Sequence, residues 1–170
     1  HTETVALVDG ALGGGHRRAI DRLWRSMAAA TTDVVLGVRD AAWLQWRYLQ
    51  SPHAVYTVTL VRSRWLRHPL GLFVTRERDD ALELLDLVAP PARFALLVEL
   101  ARAQAARIAR PRLRARITRP QPARRTTGDP ARVQVEDLPI HIPANIHTPG
   151  PDPREIENRW FLMGGDADFT

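Results

Sequence analysis

The chain has 170 residues, 45% of them hydrophobic, no cysteine and a net charge of +5. That length and apolar content suit one folded domain with a continuous core, and the missing cysteines exclude disulfides and thiolate metal sites. All 24 basic residues are arginine, and in an Arg- and Ala-rich chain this composition follows from GC-rich coding without any nucleic-acid partner, which is not expected here.

In chain order, Thr2–Gly10 reads as a short strand and "ALGGGH" after it as a loop. Ile20, Leu23, Trp24 and Met27 recur at the spacing of one helix face. "TTDVVLGVRD" fits either a short extended piece or a connector. Asp40 is placed to cap a helix over "AAWLQWRYL", with Trp43 and Trp46 on a shared face and Ser51-Pro52 ending it. The period then changes to two. Ala54–Arg62, Leu70–Arg76 and Ala81–Val88 read as three strands joined by short turns, an antiparallel meander. The third is almost wholly apolar and is expected at the sheet centre, covered on both faces.

Pro90-Pro91 stops that strand, and Phe94, Leu97, Val98, Ala101, Ala105 and Ile108 repeat at helical spacing. Arg112–Thr118 alternates apolar with arginine, a half-buried strand placed parallel to the third by a β-helix-β crossover. A proline- and arginine-rich loop follows, then two short extended pieces, "RVQVED" and "LPIHIP", and a last strand at Arg159–Met163. The order predicts an α+β fold with one mixed, mostly antiparallel sheet flanked by helices. No apolar run reaches the roughly 20 residues of a membrane helix, and no signal-peptide pattern is present, so a cytoplasmic protein is expected. The opening His1, in place of methionine, leaves a preceding segment open.

This order resembles the Gcn5-related N-acetyltransferase (GNAT) superfamily, and local motifs narrow the resemblance to a divergent bacterial branch. "WRYLQSPHAVY" is similar to its W-R-Y…P…Y entry, through Trp46, Arg47, Tyr48, Pro52 and Tyr56. "WFLMGGDADF" is similar to its W-x-L-x-x-G-D-x-D ending, through Trp160, Leu162, Gly165, Asp166 and Asp168. "LELLDLVAP" looks like its central strand, with Asp86 at the acidic position. The resemblance implies a GNAT-like domain over 39–170. Residues 1–38 would be a connector and helix entering it, with an N-terminal GNAT-like half or a second copy of the chain as partner.

It also implies acetyl-CoA as cofactor, held by Leu87, Val88, Ala89, Arg93 and Phe94, and a small amine, such as an amino sugar, as acceptor. Asp86 would be the base. Glu83, three positions away, is expected on the opposite face by strand alternation. Trp46, Arg47 and Tyr48 would line the acceptor pocket, or else serve as packing. The pattern departs from the family where cofactor grip is made. Pro90 and Pro91 remove two amide donors, and no glycine occurs between Gly71 and Gly128. No tyrosine follows Tyr56 to act as the usual acid. The competing expectation is therefore a catalytically silent interaction or assembly domain, with nucleic-acid binding through the arginine face as a third.

Other motifs carry less. "GALGGGH" lacks the lysine and hydroxyl residue of a phosphate-binding loop. His53 and His68 adjoin prolines in turns and read as surface residues. His141 and His147 lack the compact spacing of zinc ligands, and no metal is expected. Asp166 and Asp168 suit turn polarity better than a cation site. Arg102 through Arg125 holds nine arginines and no acid, yet no aromatic for base stacking.

Overall fold

The computed structural model describes residues 2–7, 12–118, 134, 149–156 and 159–166. The expected loop around Arg124 and Arg125, the two extended pieces beyond it (apart from Gln134), His141, His147 and Asp168 lie outside these residues. The expected alternation produces a meander: β3 (Thr57–Ser63), β4 (Pro69–Glu77) and β5 (Leu82–Val88) are joined antiparallel. β1 (Thr2–Leu7) adds antiparallel to β3, and β6 (Leu113–Ala115) adds parallel to β5, giving the order β1-β3-β4-β5-β6. All seven residues of β5, Glu83 and Asp86 included, are buried, as expected of a nearly continuous apolar strand covered on both faces, although the middle strand of the five is β4. The fold is thus α+β, built on a mostly antiparallel five-stranded sheet.

Helices cover both faces. α3 (Phe94–Arg107) lies on the face carrying Gly71 and Thr75 of β4, burying Phe94, Leu97, Ala101 and Ala105. α1 (Gly14–Ala29) buries Ile20, Leu23 and Met27, matching the predicted stripe apart from the half-buried Trp24. Asp21 on α1 accepts the amide of Ala41, which joins α1 to α2 (Ala41–Leu44). Asp40 caps α2 as expected, accepting from the Trp43 amide at 2.8 Å. β2 (Val35–Leu36) forms inside the ambiguous connector and pairs parallel with β7 (Trp160–Phe161) in a separate two-stranded sheet, so the last strand does not join the expected single mixed sheet. A four-residue helix, α4 (Pro153–Ile156), precedes β7.

Three further expectations change. The predicted helix after Asp40 runs from α2 into a π-helix, Gln45–Leu49, closed by a bond from the Gln50 amide to the Gln45 carbonyl. The wider turn takes Trp46 off the face of Trp43: Trp46 is 65% exposed, whereas Trp43 packs on the core. The last strand is shorter than Arg159–Met163, because Met163 leaves β7 to bridge Ile117 instead. β6 is likewise only three residues long, and its Ala115 is exposed rather than inward-facing.

The third change is a β-bulge. Thr75 pairs with Leu84 and Val74 with Asp86, so Leu85 is an extra residue in β5. It shifts the side-chain alternation by one. Glu83 therefore shares a face with Asp86 instead of opposing it. The contacts agree: Glu83 binds Arg76 at 2.7 Å, Arg76 lies over Tyr56, Tyr56 packs on Tyr48, and Tyr48 reaches Asp86.

α3 can sit close to β4 because Gly71 has no side chain. A Cβ there would lie 2.9 Å from Leu97 Cδ1 and 3.0 Å from Ala89 Cβ, both fully buried. Gly71→Ala is expected to destabilise the fold by about 1–3 kcal/mol through overpacking. A lowered midpoint in chemical denaturation with unchanged slope checks this.

A buried ion-pair site at the strand bulge

Asp86 follows the bulge directly and is 0% exposed. Its Oδ1 accepts from Arg39 Nε at 2.8 Å and from the Leu87 amide at 2.9 Å, and its Oδ2 accepts from the Tyr48 hydroxyl at 3.2 Å. Arg39 is also wholly buried, the bulkiest side chain to be so. Its guanidinium reaches the Gly37 carbonyl at 2.8 Å and Asp166 Oδ2, besides lying 5.9 Å from the Trp43 ring centre. Asp166 Oδ2 in turn accepts the Met163 amide at 2.8 Å, which sets the short 3₁₀ turn Gly164–Asp166.

Each component is placed by local chemistry. The bulge turns Asp86 onto the face covered by α1 and α2. The π-helix swings Tyr48 inward between Trp43 and Tyr56, both edge-on to it at 5.5 and 5.2 Å. Gly165 is required because a Cβ there would overlap the Tyr48 hydroxyl and crowd the Leu85 carbonyl. Gly164 lies between Leu85 of β5 and Arg116, just beyond β6. The turn thus occupies the gap that opens where β6 stops following β5.

Burial dominates the proton equilibria. It pushes the Asp86 carboxyl up, Arg39 draws it back, and the second carboxylate of Asp166 adds to the rise. For Arg39, burial favours loss of charge, but attraction to Asp86 and then Asp166 overrides it and holds the guanidinium ionised. The Tyr48 phenol is pushed well above its usual value by burial, then by the Asp86 and Asp166 charges. Glu83 goes the other way: burial opposes its charge, but hydrogen bonds and attraction from Arg76, then Arg78, hold its carboxyl below the usual range.

The expected cofactor and acceptor residues fare unequally. Leu87, Val88 and Ala89 are buried, and Phe94 stacks on Phe161 at 6.0 Å, so these four are core. The Leu87 amide is spent on Asp86. Arg93 donates to the Leu70 carbonyl at 3.0 Å. The acceptor trio separates: Trp46 faces outward, Arg47 Nε binds the Gly165 carbonyl at 3.0 Å, and Tyr48 is buried. Among the described residues no cluster of three metal-binding side chains exists. No described helix is long and apolar enough to cross a membrane.

Arg39 is the site residue that the sequence reasoning did not single out. It stands in a connector without periodicity, and its one marker was being a long cation beside a helix cap. No protein-family model and no curated protein matches the chain.

Two outcomes follow from the network. Arg39→Ala leaves two adjacent carboxylates without their cation and is expected to cost about 3–5 kcal/mol, more than Asp86→Asn, which leaves Arg39 paired with Asp166. Urea denaturation of both variants checks the ranking. On the alkaline side, a phenol whose folded pKa is raised stays protonated while the unfolded phenol ionises above about pH 10. Stability therefore falls above that pH as the unfolded state sheds its proton. Tyr48→Phe should show a shallower alkaline fall in Tm than the parent.

Proposed function

We propose that the chain is a GNAT-like domain serving an acyl-CoA-dependent N-acyltransferase as its structural, assembly half. The position where such a fold runs its chemistry is here taken up by an ion-pair lock. The observation that carries this reading is the occupancy of Asp86. A general base needs a lone pair within reach of the acceptor's proton. Asp86 is wholly buried, and both its oxygens already accept from Arg39, Leu87 and Tyr48.

The cofactor side supports the same reading. A pyrophosphate is gripped by free amides at a glycine-rich turn and a helix N-terminus. Prolines 90 and 91 offer no amide, the Leu87 amide serves Asp86, and Arg93 is held by the Leu70 carbonyl. Gly164 stands in the gap between β5 and the stretch after β6. The partner implied is the acyl-transferring half of the same assembly.

A second reading, acyl transfer by this domain to an amine, is favoured by one feature. The bulge at Leu85 matches the central-strand bulge that, in acetyl-CoA-binding members of the resembled superfamily, exposes backbone groups to the pantetheine. It requires the Gly164–Asp166 turn to move aside.

Thiol release from acetyl-CoA in the presence of an amino sugar such as glucosamine separates the two. The assembly reading expects a rate equal to that without protein, at millimolar acetyl-CoA. A rate proportional to protein concentration, abolished in Asp86→Asn and retained in Trp65→Ala, would overturn it in favour of acyl transfer.

A further inference from the structure

Apart from the ion-pair site, a cavity of about 620 Å³ opens between the N-terminus of α1 and the β3–β4 hairpin. Its polar lining is entirely cationic or ionisable to a cation: Arg18, Arg22, Arg62, Arg67, His16 and His68, with no carboxylate among the described lining residues. Arg18 and Arg22 are four apart on α1 and so share a face with Gly15. Arg62 comes from β3, and Arg67 from the hairpin, where it holds a φ of 50° that is unusual for a side-chain-bearing residue. Two elements distant in sequence thus bring four arginines to the lining of one space.

Like charges so gathered repel one another unless an anion or a carboxylate sits among them. Of the described carboxylates close to these residues, Glu3 lies across from Arg62 in the β1–β3 pairing and meets Arg67 at 3.5 Å with both side chains exposed, and Asp21 on α1 accepts the Ala41 amide. Among the described residues, no carboxylate pairs with Arg18, Arg22 or Arg62. The backbone adds donors. Gly13 caps α1 without a side-chain bond, and the amides of Gly14 and Gly15 meet no described acceptor. A Cβ at Gly13 or Gly15 would meet nothing within 4 Å, so the backbone is open to close approach. Planar guanidinium forks beside the backbone amides of a helix N-terminus are the recognition chemistry of phosphate oxygens.

We propose that this cleft binds a phosphate oxyanion, carried either by a soluble polyphosphorylated ligand or by a lipid headgroup. The second source has a structural reason. Trp65 and Leu66 at the hairpin tip are 79% and 76% exposed beside the cleft, the pairing of apolar tip and basic surface found at membrane interfaces.

The test uses the whole chain and two probes: tripolyphosphate by calorimetry, and phosphatidylcholine vesicles containing phosphatidylglycerol by sedimentation. The double variant Arg18→Ala/Arg62→Ala is expected to weaken the binding seen by about tenfold or more. The equal charge removal Arg25→Ala/Arg107→Ala, on α1 and α3 outside the cleft, should leave binding within about twofold. Should the first double variant misfold by circular dichroism, the exposed Arg22→Glu supplies the same test. Tripolyphosphate binding identifies a soluble ligand. Vesicle binding alone, lowered in Trp65→Ala, identifies the headgroup. Equal weakening by both double variants, or no binding of either probe at millimolar concentration, overturns the proposal. Neither probe contains a thioester or pantetheine, so failure here is independent of the acyl-transfer question.

Discussion

Everything around the sheet centre is organised by the buried contact between Arg39 and Asp86. A guanidinium and a carboxylate removed from water are each costly, and their attraction repays that cost only with good geometry and saturated hydrogen bonds. Here the saturation is nearly complete: Arg39 meets two carboxylates and a carbonyl, and Asp86 meets a guanidinium, a phenol and an amide. Such a pair adds little over well-packed apolar side chains. Its effect is on uniqueness, since any arrangement that separates the partners leaves a buried charge alone. Segments around positions 39, 86 and 166 are thereby held in one relative placement.

That constraint bears on function as much as on the fold. The polar groups at the strand divergence satisfy one another, and the chain's own C-terminal turn stands in the gap. A second gathering of charged side chains lies elsewhere, at the cleft between α1 and the β3–β4 hairpin. The central carboxylate is saturated, while Arg18, Arg22 and Arg62 at the peripheral cleft pair with no carboxylate among the described residues.

Much of the frame could be read from residue order. The period-two meander, the apolar β5, the helical wheel from Phe94, the Asp40 cap and the parallel placement of β6 each rest on local patterns, and each recurs in the structure. The site was harder to read because three of its determinants leave no periodic trace. A bulge adds one residue to a strand without altering its composition, which is why Glu83 was expected opposite Asp86. A π-helix shares the residue preferences of an α-helix, which is why the spacing predicts Trp46 on the face of Trp43. Arg39 pairs over 47 and 127 positions of sequence, and no local spacing reports such distances.

The π-helix makes the whole arrangement sensitive to length. One turn of it amounts to an α-helix carrying an additional residue, and each residue of an α-helix accounts for about 100° of rotation. Loss of a single residue from Gln45–Leu49 would let the helix heal into regular geometry, yet turn Tyr48 away from Asp86 and Arg47 away from the Gly165 carbonyl. Single-residue deletions, which leave composition and apolar pattern almost intact, are thus a sharper threat to this centre than most substitutions on the helix surface. In that sense the protein's interior is keyed to a count of residues as well as to their kinds.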